Sequence, residues 1–123
     1  MSKRKDIAQK RAQQAFEISK QKEQNKTFKA HVQKVPAMIR TNGLGNTLLF
    51  MKTGSDKAWK DLYGDISQWL KDQFEELSEA EDVLHKIIEL DNAKLLRAMT
   101  EETLALFNWL RRFCKTENDQ QNV

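Results

Sequence analysis

The stretch GSDKAWKDLYGDISQWLKDQF, residues 54–74, decides the fold. Within it Trp59, Leu62, Tyr63, Ile66, Trp69, Leu70 and Phe74 recur at the three- and four-residue intervals that place side chains on one face of an α-helix. Asp56, just ahead of the run, can accept a hydrogen bond from a first-turn N–H, and Gly54-Ser55 ends whatever precedes it. A helix this amphipathic must bury its apolar face against other elements. The rest of the chain supplies only more helices: no segment alternates apolar and polar residues over a strand length, and one proline and four glycines are too few to punctuate a set of hairpins.

Outward from this stretch, residues 4–33 contain no Pro or Gly, and Ile7, Arg11, Ala12, Ala15, Ile18 and Ser19 form a narrow stripe of small or apolar positions. This reads as a long N-terminal helix of roughly 40 Å, with a polar middle, residues 20–27, that suits a bend or a break because it has little to bury. Pro36 suits the first turn of a second helix, which carries Met38, Ile39, Leu44, Leu48, Leu49 and Met51 to about Thr53. Asn42-Gly43 and Gly45 fall inside it and read as places where a neighbouring backbone comes near, at about 1 kcal/mol each in propensity. Beyond the deciding stretch, Ser78-Glu79-Ala80-Glu81 has the form of a capping box opening a short helix through Val83, Leu84, Ile87 and Ile88. Asp91 then reads as the cap of a last helix carrying Leu95, Leu96, Met99, Thr103, Leu106, Phe107, Trp109, Leu110 and Phe113. The expectation is an all-α fold: a single compact bundle of about five to six helices with a long N-terminal helix, one domain over residues 1–116, and a polar tail over 117–123.

Charge is the informative part of the composition. The net charge is only +3, yet residues 1–40 hold eleven Lys/Arg against three Asp/Glu, and residues 41–123 hold ten against fifteen. A basic arm on an acidic body suggests contact with a polyanion, with a charge-complementary neighbour, or with both; the plainer reading is a solvated helix face. The candidate contact residues are Lys10, Arg11, Lys34 and Arg40, joined near the other terminus by Arg111 and Arg112. Such side chains line phosphates without reading bases. Trp59, Trp69 and Trp109 fall on the apolar faces of their helices and read as core rather than as base-stacking platforms.

Catalytic and metal chemistry find little support. Gly43-Leu44-Gly45 lacks a preceding strand and a third glycine, and Lys52-Thr53-Gly54 is not a Walker sequence. His31 and His85 are far apart in the chain and Cys114 is the sole cysteine, so neither a zinc site nor a disulfide framework is expected. Neither histidine has an arginine four to six residues before it, as one kind of helical ribonuclease requires. The acidic set Asp72, Glu75, Glu76, Glu79, Glu81 and Asp82 reads as solvated surface and as helix N-terminal charge rather than as a cation site. No cofactor is expected. The basic start has no apolar h-region behind it and no run approaches the roughly 20 apolar residues of a bilayer span, so a cytoplasmic protein without membrane contact is expected.

Four blocks carry a family resemblance, of which the Pro36-to-Phe50 and Trp109-Leu110-x-Arg112-Phe113 parts are the specific ones. Arg11-Ala12-x-x-Ala15-Phe16 is followed by Pro36-Ala37-Met38-Ile39-x-x-Asn42-Gly43-Leu44-x-x-Thr47-Leu48-x-Phe50, by Trp69-Leu70, and by Thr100-Glu101-Glu102-x-Leu104-Ala105-Leu106-x-x-Trp109-Leu110-x-Arg112-Phe113. The order resembles the small helical subunit of type III-B (Cmr) CRISPR effector complexes over nearly the whole chain, except about residues 73–96. The resemblance implies a bundle of about six helices that stacks head to tail in a short filament, with other Cmr-type subunits and copies of itself as partners. It also implies a non-catalytic scaffold lining guide RNA and target RNA without sequence readout. Where the family often has an alanine-rich stretch after the Trp-Leu-x-Arg-Phe block, this chain has Cys114-Lys115-Thr116 and a polar tail. Two other readings stand beside it: a helical protein–protein spacer without RNA contact, and a helical enzyme whose site the residue pattern does not reveal.

Overall fold

In the computed structural model, which describes residues 6–115, every regular element is helical: α1 (Ile7–Gln21), α2 (Lys26–Asn42), α3 (Leu44–Lys52), α4 (Lys57–Gln73), a 3-10 turn (Glu75–Leu77), α5 (Val83–Glu89) and α6 (Ala93–Phe113). The expected all-α class and number of helices hold. The tail over 117–123 and the basic residues Lys3, Arg4 and Lys5 lie outside the described residues.

The deciding stretch forms α4 as its pattern demands. The Asp56 carboxylate accepts from the N–H of Trp59 at 2.9 Å, and Trp59, Leu62, Ile66, Trp69 and Leu70 are buried. The packed interior gathers Phe28 and Val32 of α2, Leu48 and Met51 of α3, Leu62, Ile66 and Leu70 of α4, and Met99, Leu106, Phe107 and Leu110 of α6, all fully buried. Truncating any one of these leucines to alanine costs about 2–5 kcal/mol, because the removed atoms leave a cavity the rigid neighbours only partly fill. The last helix, α6, organises the bundle by packing along α1 and against α2 and α4.

The N-terminal helix is not long. It stops at Gln21, where the Lys22 N–H turns back onto the Ile18 and Ser19 carbonyls, and α2 restarts at Asn25, whose side chain accepts from the Phe28 N–H at 2.9 Å. The polar segment between them has no apolar face to hold a helix straight, whereas Asn25 offers a new cap.

Two further boundaries differ from expectation around Pro36 and Gly43. Pro36 does not open a helix; it sits inside α2, buried in a stripe of Phe28, His31, Val32, Val35 and Ile39. Its missing N–H would normally weaken a helix interior, and the continuous burial of that stripe offsets the loss. The helix instead breaks at Gly43, whose φ of +86° is open to glycine but strained for other residues. Neither Gly43 nor Gly45 admits a neighbouring backbone, since a Cβ at either would meet nothing within 4 Å. The close approach is at Gly54, where a Cβ would lie 2.9 Å from that of Trp59.

The capping box at Ser78 does not form. Ser78 instead donates its hydroxyl to the Glu75 carbonyl, and α5 begins only at Val83. Asp82 occupies the cap position of α5 without capping it, because its carboxylate is held by Lys52 and the Tyr63 hydroxyl. The Tyr63 oxygen takes over the cap by accepting the Leu84 N–H at 3.0 Å. Similarly Asn92, not Asp91, caps α6, accepting from Leu95 N–H at 3.0 Å.

Candidate nucleic-acid interface

The cations named from sequence divide into two groups. Arg11 shares a face of α1 with buried Ala15 and Ile18 and is turned into the bundle, where it donates twice to Glu102 of α6, at 2.6 and 2.9 Å. The carboxylate beside it raises the Arg11 pKa further. Trp69 Nε1 of α4 donates to the same carboxylate at 3.0 Å, so one acid ties three helices. Lys22 is similarly engaged with Asp61 of α4, at 2.9 Å, and holds that carboxylate below its usual range.

The second group faces outward. Lys26, Lys34 and Arg40 are exposed on α2 and lie about 100° or more around the helix from the middle of the stripe formed by Phe28, Val32, Val35 and Ile39; half-buried Lys29 flanks that stripe and donates to the Glu23 carbonyl at 3.2 Å. The row from Lys26 to Arg40 is about 20 Å long. The C-terminal end of α6 is fixed beside it through Gln33, whose amide donates to the Arg111 and Cys114 carbonyls at 2.9 and 3.1 Å. Arg111 and Arg112 are exposed there. Lys34, Arg40, Arg111 and Arg112 have no ion-pair partner among the described residues. Part of the role of Arg111 and Arg112 is local, since cations in the last turn of a helix are favoured by its dipole. Lys10 is also exposed but stands apart, about 15 Å along α1 from Lys20.

Where α1 ends, α2 begins and α6 ends, an open cleft of about 360 Å³ is lined by Phe16, Ser19, Lys20, Glu23, Lys29, Phe113 and Lys115. Among the described residues three cations thus surround one carboxylate. Phe16 packs edge-on against Phe113 at 5.6 Å between ring centres, and Trp109 lies 6.2 Å from Phe113 with its plane tilted by 21°. Trp59 and Trp69 are buried as expected, but Trp109 is not core: it is 38 % exposed, with Phe16 at 48 % and Phe113 at 39 %. The expectation failed because Trp109 and Phe113 lie on the shoulder rather than the centre of the stripe formed by Met99, Thr103, Leu106 and Leu110, and α1 meets them there edge-on, through Phe16 against Phe113. Their four-residue spacing beside Arg112 was the available signal.

The remaining motif residues are mainly architectural. Pro36, Ile39, Leu44, Trp69 and Leu110 are buried, and Met38 packs against the core. Asn42 is exposed, with its carbonyl accepting the Asn46 side chain at 3.0 Å, next to Gly43 at the break.

Other chemistry is sparse. His31 Nε2 lies 2.9 Å from Asp56 and its ring stacks on Trp59 at 3.8 Å, a capping and packing role; its bond, with the Trp59 N–H, holds the Asp56 carboxyl below its usual range. Burial pushes the Cys114 thiol up to about 11, which leaves it protonated and unreactive at neutral pH. No group of three or more potential metal ligands occurs among the described residues, and no helix among them is long and apolar enough to cross a membrane.

The model of a protein family described as CRISPR-associated protein (Cas_Cmr5) matches residues 4–117. The match takes in all six helices, including the region around residues 73–96 where the motif resemblance lapsed. On that evidence the chain belongs to the CRISPR-associated Cmr5 family, a small subunit of the multi-subunit type III-B effector complex.

Proposed function

We propose that this chain is a non-catalytic scaffold subunit of a cytoplasmic type III-B ribonucleoprotein in antiviral defence, stacking with copies of itself and contacting guide and target RNA through phosphates. The observation that carries this reading is the outward row of cations on α2, continued by Arg111 and Arg112 and lacking ion-pair partners among the described residues. Cations left unpaired at a surface retain their full attraction for a polyanion, whereas Arg11 and Lys22 are neutralised within the bundle. An A-form duplex offers phosphates and 2′-hydroxyls but little legible sequence to a helical surface, so binding is salt-sensitive and sequence-tolerant. Glu75 and Glu76 of the 3-10 turn, with Glu79 and Glu81 in the loop before α5, are the complementary surface for the basic end of a neighbouring copy.

The test is the reconstituted effector complex carrying Lys34→Glu, Arg40→Glu and Arg112→Glu together. The expected result is that the subunits still assemble while RNA is lost more readily as salt is raised. Loss of assembly with RNA retention unchanged would make the chain a protein–protein spacer, and any turnover by the purified chain would overturn the non-catalytic reading.

A further inference from the structure

The open aromatic set has no explanation in phosphate contact alone. Phe16, Phe113 and Trp109 form one contiguous ladder across α1 and α6, each more than a third exposed. Burying even one of them would stabilise the fold through the hydrophobic effect, and three adjacent open rings mark a surface used for contact rather than isolated exposure. The surroundings select the class of partner. Lys20, Lys29 and Lys115 line the cleft with the rings, and among the described residues Glu23 is the sole carboxylate in its lining. Lys20 sits 5.8 Å from the Phe16 ring centre, so a cation already lies against the aromatic surface. Beside Trp109, a second recess is lined by Asn108 and Arg112, whose side chains can donate to base edges and phosphates.

Rings bordered by cations are the combination that binds unpaired nucleotides: the base stacks on the ring, and the phosphates on either side meet the lysines. A paired duplex cannot use it, because its bases are already stacked on one another and only their edges are presented. We propose that the Phe16–Phe113–Trp109 ladder is a stacking platform for unpaired bases of single-stranded RNA, flanked by phosphate contacts from Lys29, Lys115 and Arg112. This rests on the proposed RNA contact and adds a strand preference to it. Glu23 opposes the phosphates, so Glu23→Gln strengthens binding.

The test uses the full chain with two labelled RNAs carrying equal numbers of phosphates, a short oligoadenylate and a duplex. Phe113→Leu, Trp109→Leu and, on the other helix, Phe16→Leu remove the ring but keep an apolar side chain at each exposed position, and thermal melting monitored by circular dichroism verifies that each folds. Each is expected to weaken oligoadenylate binding about tenfold while leaving the duplex unaffected. Oligoadenylate also quenches tryptophan fluorescence in the unaltered chain but not in Trp109→Leu. Equal losses on both RNAs, or none on oligoadenylate, overturn the stacking platform while leaving phosphate contact standing. Failure of the unaltered chain to bind either RNA overturns both proposals. Intact RNA binding with loss of attachment to the other Cmr subunits would reassign the ladder to a protein partner.

Discussion

Arg11 and Glu102 stand 91 residues apart in the chain and are joined by two hydrogen bonds, at 2.6 and 2.9 Å, across the α1–α6 interface. With the Trp69 indole N–H as a third donor, the carboxylate is nearly saturated, and its side chain is only 10 % exposed. Removing the acid leaves a guanidinium and an indole N–H without their acceptor in a confined site. Glu102→Ala is therefore expected to cost about 2–4 kcal/mol in urea unfolding. Lys10→Ala, one residue from Arg11 but exposed, should change stability by less than about 0.5 kcal/mol. A Glu102→Ala cost no larger than that of Lys10→Ala would mean the pair does not hold α1 on α6.

Asp65 predicts a pH dependence. Its carboxyl on α4 is pushed up to about 6, chiefly by burial, with Lys22 opposing and Asp61 reinforcing the shift; its Oδ2 is buried without a hydrogen-bond partner. The folded value lies above that of the unfolded chain, so folding favours the protonated acid. The stability this contributes is fully present below about pH 4 and is lost as pH rises through about 6. Asp65→Asn should thus raise stability at pH 7 by about 1 kcal/mol after allowance for solvent screening, with the gain disappearing near pH 4. Thermal melts at the two pH values measure this, and an equal effect at both would show that the carboxyl ionises as freely in the fold as outside it.

The glycines divide by backbone angle rather than by crowding. Gly43→Ala has space for its methyl but must adopt φ +86° with ψ 162°, a region open almost only to glycine, at a cost of about 1–3 kcal/mol. Gly45, inside α3 and Gly64, inside α4, have equal space without that angle; alanine at either should stabilise by roughly 0.5–1 kcal/mol. Opposite signs in chemical denaturation are the expected outcome, and a stabilising Gly43→Ala would contradict the helix break.

The parts of the fold legible in sequence were those written in helical periodicity. The apolar face of α4 and the buried stripe of α6 could be read directly, because their spacing repeats over several turns. Boundaries were harder, since Asn25, Gly43 and Asn92 each decide a helix end through one local bond or angle that competes with equally plausible neighbours. Tyr63 capping α5 from 21 residues away has no local signature at all. The site was half legible. Lys34, Arg40, Arg111 and Arg112 face outward as expected, but Arg11 carries the same charge and its tie to Glu102 depends on the distant approach of α6. Trp109 misled for a related reason: whether a shoulder aromatic is covered depends on how squarely the neighbouring helix sits over it, which the spacing within α6 does not encode.

Salt dependence of duplex RNA binding addresses phosphate recognition most directly. Each cation–phosphate contact releases counterions, so the slope of log affinity against log salt counts contacts at about 0.9 per phosphate. Lys34→Glu, Arg40→Glu and Arg112→Glu together should flatten that slope by roughly 2 to 3, equally for two duplexes of unrelated sequence. An unchanged slope, or an affinity that follows sequence rather than salt, would contradict a role for this surface along the phosphate backbone.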